Sequence, residues 1–350
     1  MKNNPPNVER LNNGKPLIQP VSNHPWENKV TFNPACAIVE NKSELQRIVR
    51  QLPFTEEIKS KLRDHEALCF LLYRAQGKPT TEYDYSRSSI GLAILSPQLD
   101  VLARHAEPVI LPDTQYDNLG VEDGRITKVG DRYVMVYTAY ASGTPENSIR
   151  IALASTSDFV HWKKHGLLKG SFNEIHNKNG MIFNTTVGGR HLMLHRPMEG
   201  PHKMAVHWAE SEDVFAVWKD RGLLIEPLSN PEFADTWIGG GAPPLALGKD
   251  LFLILYHIGN RRSSGEREYD LGIAVANVST NRVITRRDEP LLRPETPFET
   301  TPDRELGVAN VLFVCGAYFF KGDIYFPYAG ADSVVLGGKI RKEEMEKYLT

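Results

Sequence analysis

Apolar positions along the chain fall into short strand-like runs, each led in by a small polar or glycine-rich segment and each ending in polar or aromatic residues. Five such segments align. The first leads in at Phe32-Asn33-Pro34 and ends in Leu71-Leu72-Tyr73-Arg74, and the second runs from Val121-Glu122-Asp123 to Val134-Met135-Val136-Tyr137. The third runs from Lys178-Asn179-Gly180 to Leu194-His195-Arg196, and the fourth from Gly239-Gly240-Gly241 to Leu255-Tyr256-His257. The last runs from Val308-Ala309-Asn310 to Tyr325-Phe326-Pro327-Tyr328. Positions Asn33, Asp123, Gly180, Gly240 and Ala309 are 90, 57, 60 and 69 residues apart, and the long first gap holds an insertion from Asn41 to Glu66. Within it Leu45, Ile48, Val49 and Leu52, then Ile58 and Leu62, recur at helical spacing among charges.

A second repeat follows in phase. Ser157-Asp158, Trp162-Lys163 and Gly166-Leu167-Leu168 are echoed by Glu212-Asp213, Trp218-Lys219 and Gly222-Leu223-Leu224, a pattern of turn and packing residues. A unit of roughly 60 residues with several short strands matches a four-stranded propeller blade. The pattern therefore predicts an all-β chain, a five-bladed β-propeller spanning residues 1–350 as one domain, with a helical insertion at about 41–66 and a charged helix from Lys342 to Tyr348.

Composition narrows the function classes. With 41 basic against 43 acidic residues the formal net charge is -2, which gathers neither nucleic acid nor an anionic membrane surface. No apolar run reaches the length of a spanning helix and the polar, Pro-rich start lacks a signal-peptide pattern, so the expectation is a cytoplasmic protein without membrane or nucleic-acid partners. Cys36, Cys69 and Cys315 stand far apart, outside any CxxC spacing, and read as buried thiols. The composition is compatible with a homo-oligomer. The run Gly239-Gly240-Gly241-Ala242-Pro243-Pro244 lacks the GK[ST] ending of a phosphate-binding loop.

In a propeller the first strands of all blades line one central channel, so polar residues at equivalent phases converge. The alignment gathers Asn33, Arg74, Glu122, Asp123, Arg125, Lys178, Asn179, Arg196, Tyr256, His257 and Asp332, with Arg87 as a further candidate. The set holds few carboxylates among several cationic and amide donors and has no metal-ligand spacing, so no metal or other cofactor is expected. It suits an anion such as phosphate, or a sugar. A glycosidase ordinarily needs two carboxyl groups, whereas a phosphorolytic enzyme needs only the acid because phosphate is the nucleophile. The cationic excess favours the second case.

Several segments together resemble glycoside hydrolase family 130, the β-mannoside phosphorylases and related β-mannosidases: Pro25-Trp26-Glu27, Phe32-Asn33-Pro34, Tyr73-Arg74-Ala75, Gly120 to Arg125, Leu194-His195-Arg196-Pro197, Ile238 to Pro244, Tyr256-His257, Arg293-Pro294-Glu295 and Tyr328 to Asp332. The resemblance covers nearly the whole chain and also implies a five-bladed propeller. It implies that Asp123 is the general acid, protonating the departing oxygen through the mannose 3-hydroxyl while phosphate attacks the anomeric carbon from the opposite face. It places phosphate at Lys178, Asn179, Arg196, His257 and Tyr256, and the mannoside at Asn33, Arg74, Arg87, Arg125 and Asp332, with Asn33, Arg74 and Arg125 holding the mannosyl unit or orienting the acid. The expected partners are thus a β-mannoside oligosaccharide, β-1,2- or β-1,4-linked or carrying glucose or GlcNAc as leaving sugar, and inorganic phosphate as co-substrate. Two departures stand out: Gly124 replaces the family's usual Pro, and Trp237 stands where many phosphorylases carry Lys.

The rival enzyme is an inverting exo-β-mannosidase whose water is activated by Glu232, Asp235, Glu266 or Glu268. A propeller that only binds a glycan or protein is the reading from another class. Linkage and leaving sugar are expected to depend on the insertion and on two loops at the channel mouth, Gly77 to Arg87 and Gly259 to Tyr269.

Overall fold

The computed structural model describes residues 4–79, 86–143, 147–302 and 307–349; the middle of the first mouth loop, 80–85, lies outside them. The chain is all-β, built as five successive antiparallel units. In the first, Val30–Val39 pairs with Leu68–Gln76, which pairs with Ser88–Leu95 and then the short Val101–Arg104. The second is Gly120–Val129, Arg132–Ala141, Ser148–Thr156 and Lys163–Leu167. The third is Asn177–Ile182, His191–Pro197, Val206–Ser211 and Lys219–Ile225. The fourth is Asp235–Gly240, Leu251–Arg261, Arg267–Asn277 and Arg282–Arg286. The fifth is Leu312–Val314, Asp323–Gly330 and Val334–Ile340, whose free edge is covered by the amino-terminal strand Val8–Arg10.

These units form four sheets. The first two merge into one eight-stranded sheet through a single parallel pair, Ser88 with Gly120, where the expectation was five separate ones. First strands of successive units pack on one another, Val30–Val39 meeting both Gly120–Val129 and Leu312–Val314.

Between the sheets, apolar faces interleave as the alternation requires. Phe70 and Phe159 stack at 4.2 Å between the first two units, and Leu255, Ile273, Phe326 and Leu336 share the core of the fourth and fifth. The insertion forms two helices, Lys42–Gln51 and Glu56–Asp64. Asn41 and Thr55 cap them by accepting from the backbone N–H groups of Glu44 and Ile58, and Leu45, Ile48, Val49 and Leu62 are buried. The carboxy-terminal helix Lys342–Leu349 buries Met345 and Tyr348 against the last two units. Of the echoed tryptophans, Trp218 is buried and Gly166 and Gly222 take positive φ at turns. All three cysteines are free buried thiols. No helix is long and apolar enough to cross a membrane among the described residues.

One local device recurs and positions the site. In each of the first three units the ladder is broken by a bulge on the first strand, between Phe32 and Ala35, Glu122 and Arg125, and Lys178 and Met181. Each bulge contains one residue with positive φ: Asn33 (45°), Asp123 (49°) and Asn179 (56°). Asn and Asp tolerate that conformation better than other side chains, and a bulge re-aims its side chain out of the strand's alternation. The three short polar side chains are thereby turned into one space.

Candidate active site

That space is a cavity of about 170 Å³. Phe32, Asn33 and Arg74 come from the first unit, Asp123 from the second, and Lys178, Asn179 and Arg196 from the third. His257, Arg267 and Tyr269 come from the fourth, and Val311, Phe313 and Asp332 from the fifth. Its chemistry divides into two halves.

On one side Asp123 Oδ1 accepts from Asn33 Nδ2 at 2.7 Å and from Arg74 Nη1 at 2.9 Å. Arg74 also donates to Glu122 Oε1, so the adjacent carboxyls share one guanidinium, which lies 4.5 Å over the Phe32 ring. Burial works to raise the Asp123 carboxyl, but the charges of Arg74, Arg125 and Lys178 and the Asn33 amide overcome it and hold it at about 2. Asp332 is the opposite case. Burial outweighs Arg74, the nearby negative charge of Asp123 adds to it, and the carboxyl is pushed up to about 7.

On the other side Lys178 and Arg196 are directly opposite partners on neighbouring strands, and both line the cavity. Like charges in that relation repel. Burial, then Arg196, brings the Lys178 ammonium down to about 8, and burial above all lowers Arg196 to about 10. Arg196 Nη1 donates to His257 Nε2 at 3.1 Å, so His257 carries its proton on Nδ1; burial and three surrounding cations keep the ring neutral. Several buried polar atoms here have no hydrogen-bond partner among the described residues: both side-chain atoms of Asn179, Arg196 Nε and His257 Nδ1. Orphans of this kind are rare in a folded interior and mark a place built for a ligand. The glycine run makes the room, since a Cβ at Gly239 would stand 2.4 Å from His257 Nε2 and 2.6 Å from Asn179 Oδ1.

Of the residues expected from sequence, Asn33, Arg74, Asp123, Lys178, Asn179, Arg196, His257 and Asp332 line the cavity. Three do not. Tyr256 precedes His257 on a strand and so points to the opposite face, where its hydroxyl accepts from Arg286 Nε at 2.9 Å. Arg125 is buried behind Asp123, its guanidinium donating to the backbone carbonyls of Asp123, Gly240 and Gly241, which makes it a positioning residue. Arg87 donates to the carbonyls of Pro112 and Asn118 and lies outside the cavity.

The bases proposed for water are also elsewhere. Asp235 pairs with Arg261 at 2.8 Å, Glu266 is exposed, and Glu232 and Glu268 line a different cavity. Glu268 neighbours Tyr269 and faces the other way for the reason that Tyr256 does. The stretch from Gly259 to Tyr269, expected as a loop, is mostly a continuation of two paired strands, Gly259 lying opposite Tyr269.

Sequence reasoning missed Arg267, Tyr269 and Phe313. The first two stand two apart on one strand, a period-2 signal that was available. Phe313 stacks on His257 at 4.4 Å. Trp237 is a buried wall, its ring edge-on to Tyr269 at 5.5 Å, while Arg267 supplies the cavity with a cation that Trp237 does not.

Comparison with known proteins gives a consistent picture. The family model for glycoside hydrolase 130, described as β-1,4-mannooligosaccharide phosphorylase, matches residues 2–350. A 1,2-β-oligomannan phosphorylase of Thermoanaerobacter sp. (strain X514) is 28% identical over 334 residues, 94% of this chain and 95% of that one. A β-1,2-mannobiose phosphorylase of the same organism is 28% identical over 346 residues, covering 97% and 99%. The solved structure of the Listeria innocua β-1,2-mannobiose phosphorylase with β-1,2-mannobiose superposes with a TM-score of 0.75 at 21% identity, covering 98% and 99%.

Proposed function

The chain belongs to glycoside hydrolase family 130, and on that premise we propose that it is an inverting β-mannoside phosphorylase that converts a β-mannoside and phosphate to α-mannose 1-phosphate and the released sugar. The observation that carries the reading is the Lys178–Arg196 pair, two cations directly opposite each other at a cavity wall, beside an Asn179 amide with no partner. An anion between them removes the repulsion and uses the orphaned donors.

In this reading phosphate sits on Lys178, Asn179 and Arg196, with His257 Nδ1–H and Arg267 within the same half of the cavity. The mannosyl unit lies between it and Asp123, Asn33, Arg74 and Asp332. A phosphate oxygen bonds to the anomeric carbon as the bond to the leaving oxygen breaks, and that oxygen takes its proton from Asp123, relayed through the mannose 3-hydroxyl. With its carboxyl held at about 2 by the surrounding cations, Asp123 must gain the proton when substrates bind. A phosphate dianion beside Lys178 offsets the positive field that depresses Asp123, and a sugar excludes water from it; both shift the carboxyl upward.

The same reading takes the five antiparallel units as blades of a five-bladed propeller forming a single domain, since every unit contributes to one cavity. Both curated relatives are named for β-1,2-linked substrates, which makes β-1,2-mannobiose the substrate to try before the β-1,4-linked disaccharide. The test is consumption of each disaccharide with and without phosphate. Turnover should require phosphate; mannose release at equal rate in phosphate-free buffer would move the reading to hydrolysis, for which Asp332 is the other carboxyl lining the cavity.

A further inference from the structure

A second cavity, of about 310 Å³, lies on the opposite face of the strand pair that carries His257 and Tyr269. The pairing makes the relation explicit. His257 lies opposite Leu271 and Gly259 opposite Tyr269 on the face toward Asp123, while the alternate pairs, Ile258 with Asp270 and Asn260 with Glu268, face the second cavity. One sheet therefore separates two cavities.

Its lining is chemically specific. Asp270 is only 5% exposed and lines the cavity, and its carboxyl makes no hydrogen bond or ion pair among the described residues. Burial, then the neighbouring Glu268, pushes its carboxyl up to about 7, so near neutral pH it both donates and accepts. Four carboxyl groups, Glu268 and Asp270 among them, face the guanidiniums of Arg262, Arg286 and Arg293. Glu268 pairs with Arg262 at 3.1 Å while Arg286 donates to the neutral Tyr256 hydroxyl, so neither sign of charge dominates the lining. That balance selects against an anion, which meets more carboxyls than guanidiniums, and against a cation, which meets three guanidiniums. A hydroxyl satisfies both kinds of neighbour from one atom, as donor to a carboxylate and acceptor from a guanidinium. Leu228, Phe233 and Pro290 add apolar edges of the kind a sugar ring covers, and the volume falls at the lower end of small-molecule sites.

We propose that this cavity is a second saccharide-binding site, taking one neutral pyranose unit held by Asp270, Asn260 and Arg293 on the far side of the sheet from Asp123. It does not depend on the phosphorolytic reading, because its residues are separate from the Asp123 cavity.

The test is calorimetric titration of the full chain with mannose and with β-1,2-mannobiose in phosphate-free buffer, for the parent, Asp270→Leu and Arg293→Ala. Asp270→Leu removes the buried carboxyl, and Arg293→Ala changes an exposed side chain that leaves the fold intact if Leu at 270 does not. The parent should show two sugar sites per chain, and each variant should weaken one of them at least tenfold while leaving the other unchanged. A single site in the parent, or two unaltered sites in both variants, overturns the proposal. Because nothing turns over without phosphate in the proposed reaction, and because free mannose is also a probe, failure of the phosphorolytic reading leaves this comparison intact.

Discussion

Asp123 and Lys178 carry opposite consequences of the same crowding. Three cations hold Asp123 at about 2, while burial and Arg196 bring Lys178 to about 8. Asp123→Asn keeps the Asn33 and Arg74 neighbours but has no acidic proton, so kcat should fall by about 10²–10⁴ with a much smaller change in KM; unchanged turnover would remove Asp123 from the chemistry. Lys178 is charged below its lowered pKa and neutral above it, so the sign is fixed: kcat/KM for phosphate should decline as pH rises through about 8, and Lys178→Arg should abolish that decline. A profile that declines equally in the variant would assign the titration to another group.

At the scale of the element, the sequence repeats were a sound guide to strands and a poorer one to side-chain direction. The five lead-in positions fall on or just before the first strand of each unit, and Asn33 and Asp123 are aimed inward by bulges that their identity as Asn and Asp hinted at. Tyr256 was misplaced because repeat phase fixes a position to within a residue or two, and a shift of one residue on a strand reverses the face; Glu268, offered only as one of four nearby acidic residues, faces away for the same geometric reason. Arg125 was expected either to hold the mannosyl unit or to orient the acid, and its guanidinium, satisfied by carbonyls behind Asp123, stands where the second of these applies. The strand pair holding His257 and Tyr269 also depends on a close approach that sequence alone does not reveal. A Cβ at Gly259 would lie 2.2 Å from the Trp237 ring, so Gly259→Ala must displace Trp237 and with it Tyr269. We expect a loss of about 1–3 kcal/mol in urea unfolding together with a raised KM for phosphate; wild-type stability and KM would show that the ring has room to move.

For the whole molecule, the amino-terminal strand joins the start of the chain to its last sheet. Val8–Arg10 pairs with Val334–Ile340, and Arg10 Nε lies 2.8 Å from Glu299, whose fully buried carboxylate also accepts from Tyr328 Oη and the backbone N–H groups of Glu295 and Thr296. Arg10→Ala leaves that charge without its cation and should cost about 3 kcal/mol, read as a lower urea midpoint. A midpoint unchanged from the parent would show that the neutral donors alone hold Glu299. The convergence of residues from all five units on one cavity was foreshadowed by the period of roughly 60 residues; the pairing of Val8–Arg10 with the last sheet and the merging of the first two units through Ser88 and Gly120 were not, because a three-residue strand and one parallel pair leave no pattern in sequence. The central claim for the molecule as a whole is that phosphate, not water, takes the mannosyl group. The measurement that tests it most directly is ³¹P and ¹H NMR of the first product formed from β-1,2-mannobiose and inorganic phosphate. The account predicts a sugar phosphate whose anomeric proton is coupled to phosphorus with the α configuration of mannose 1-phosphate, formed in step with loss of inorganic phosphate; free mannose accumulating while the phosphate signal stays constant would contradict it.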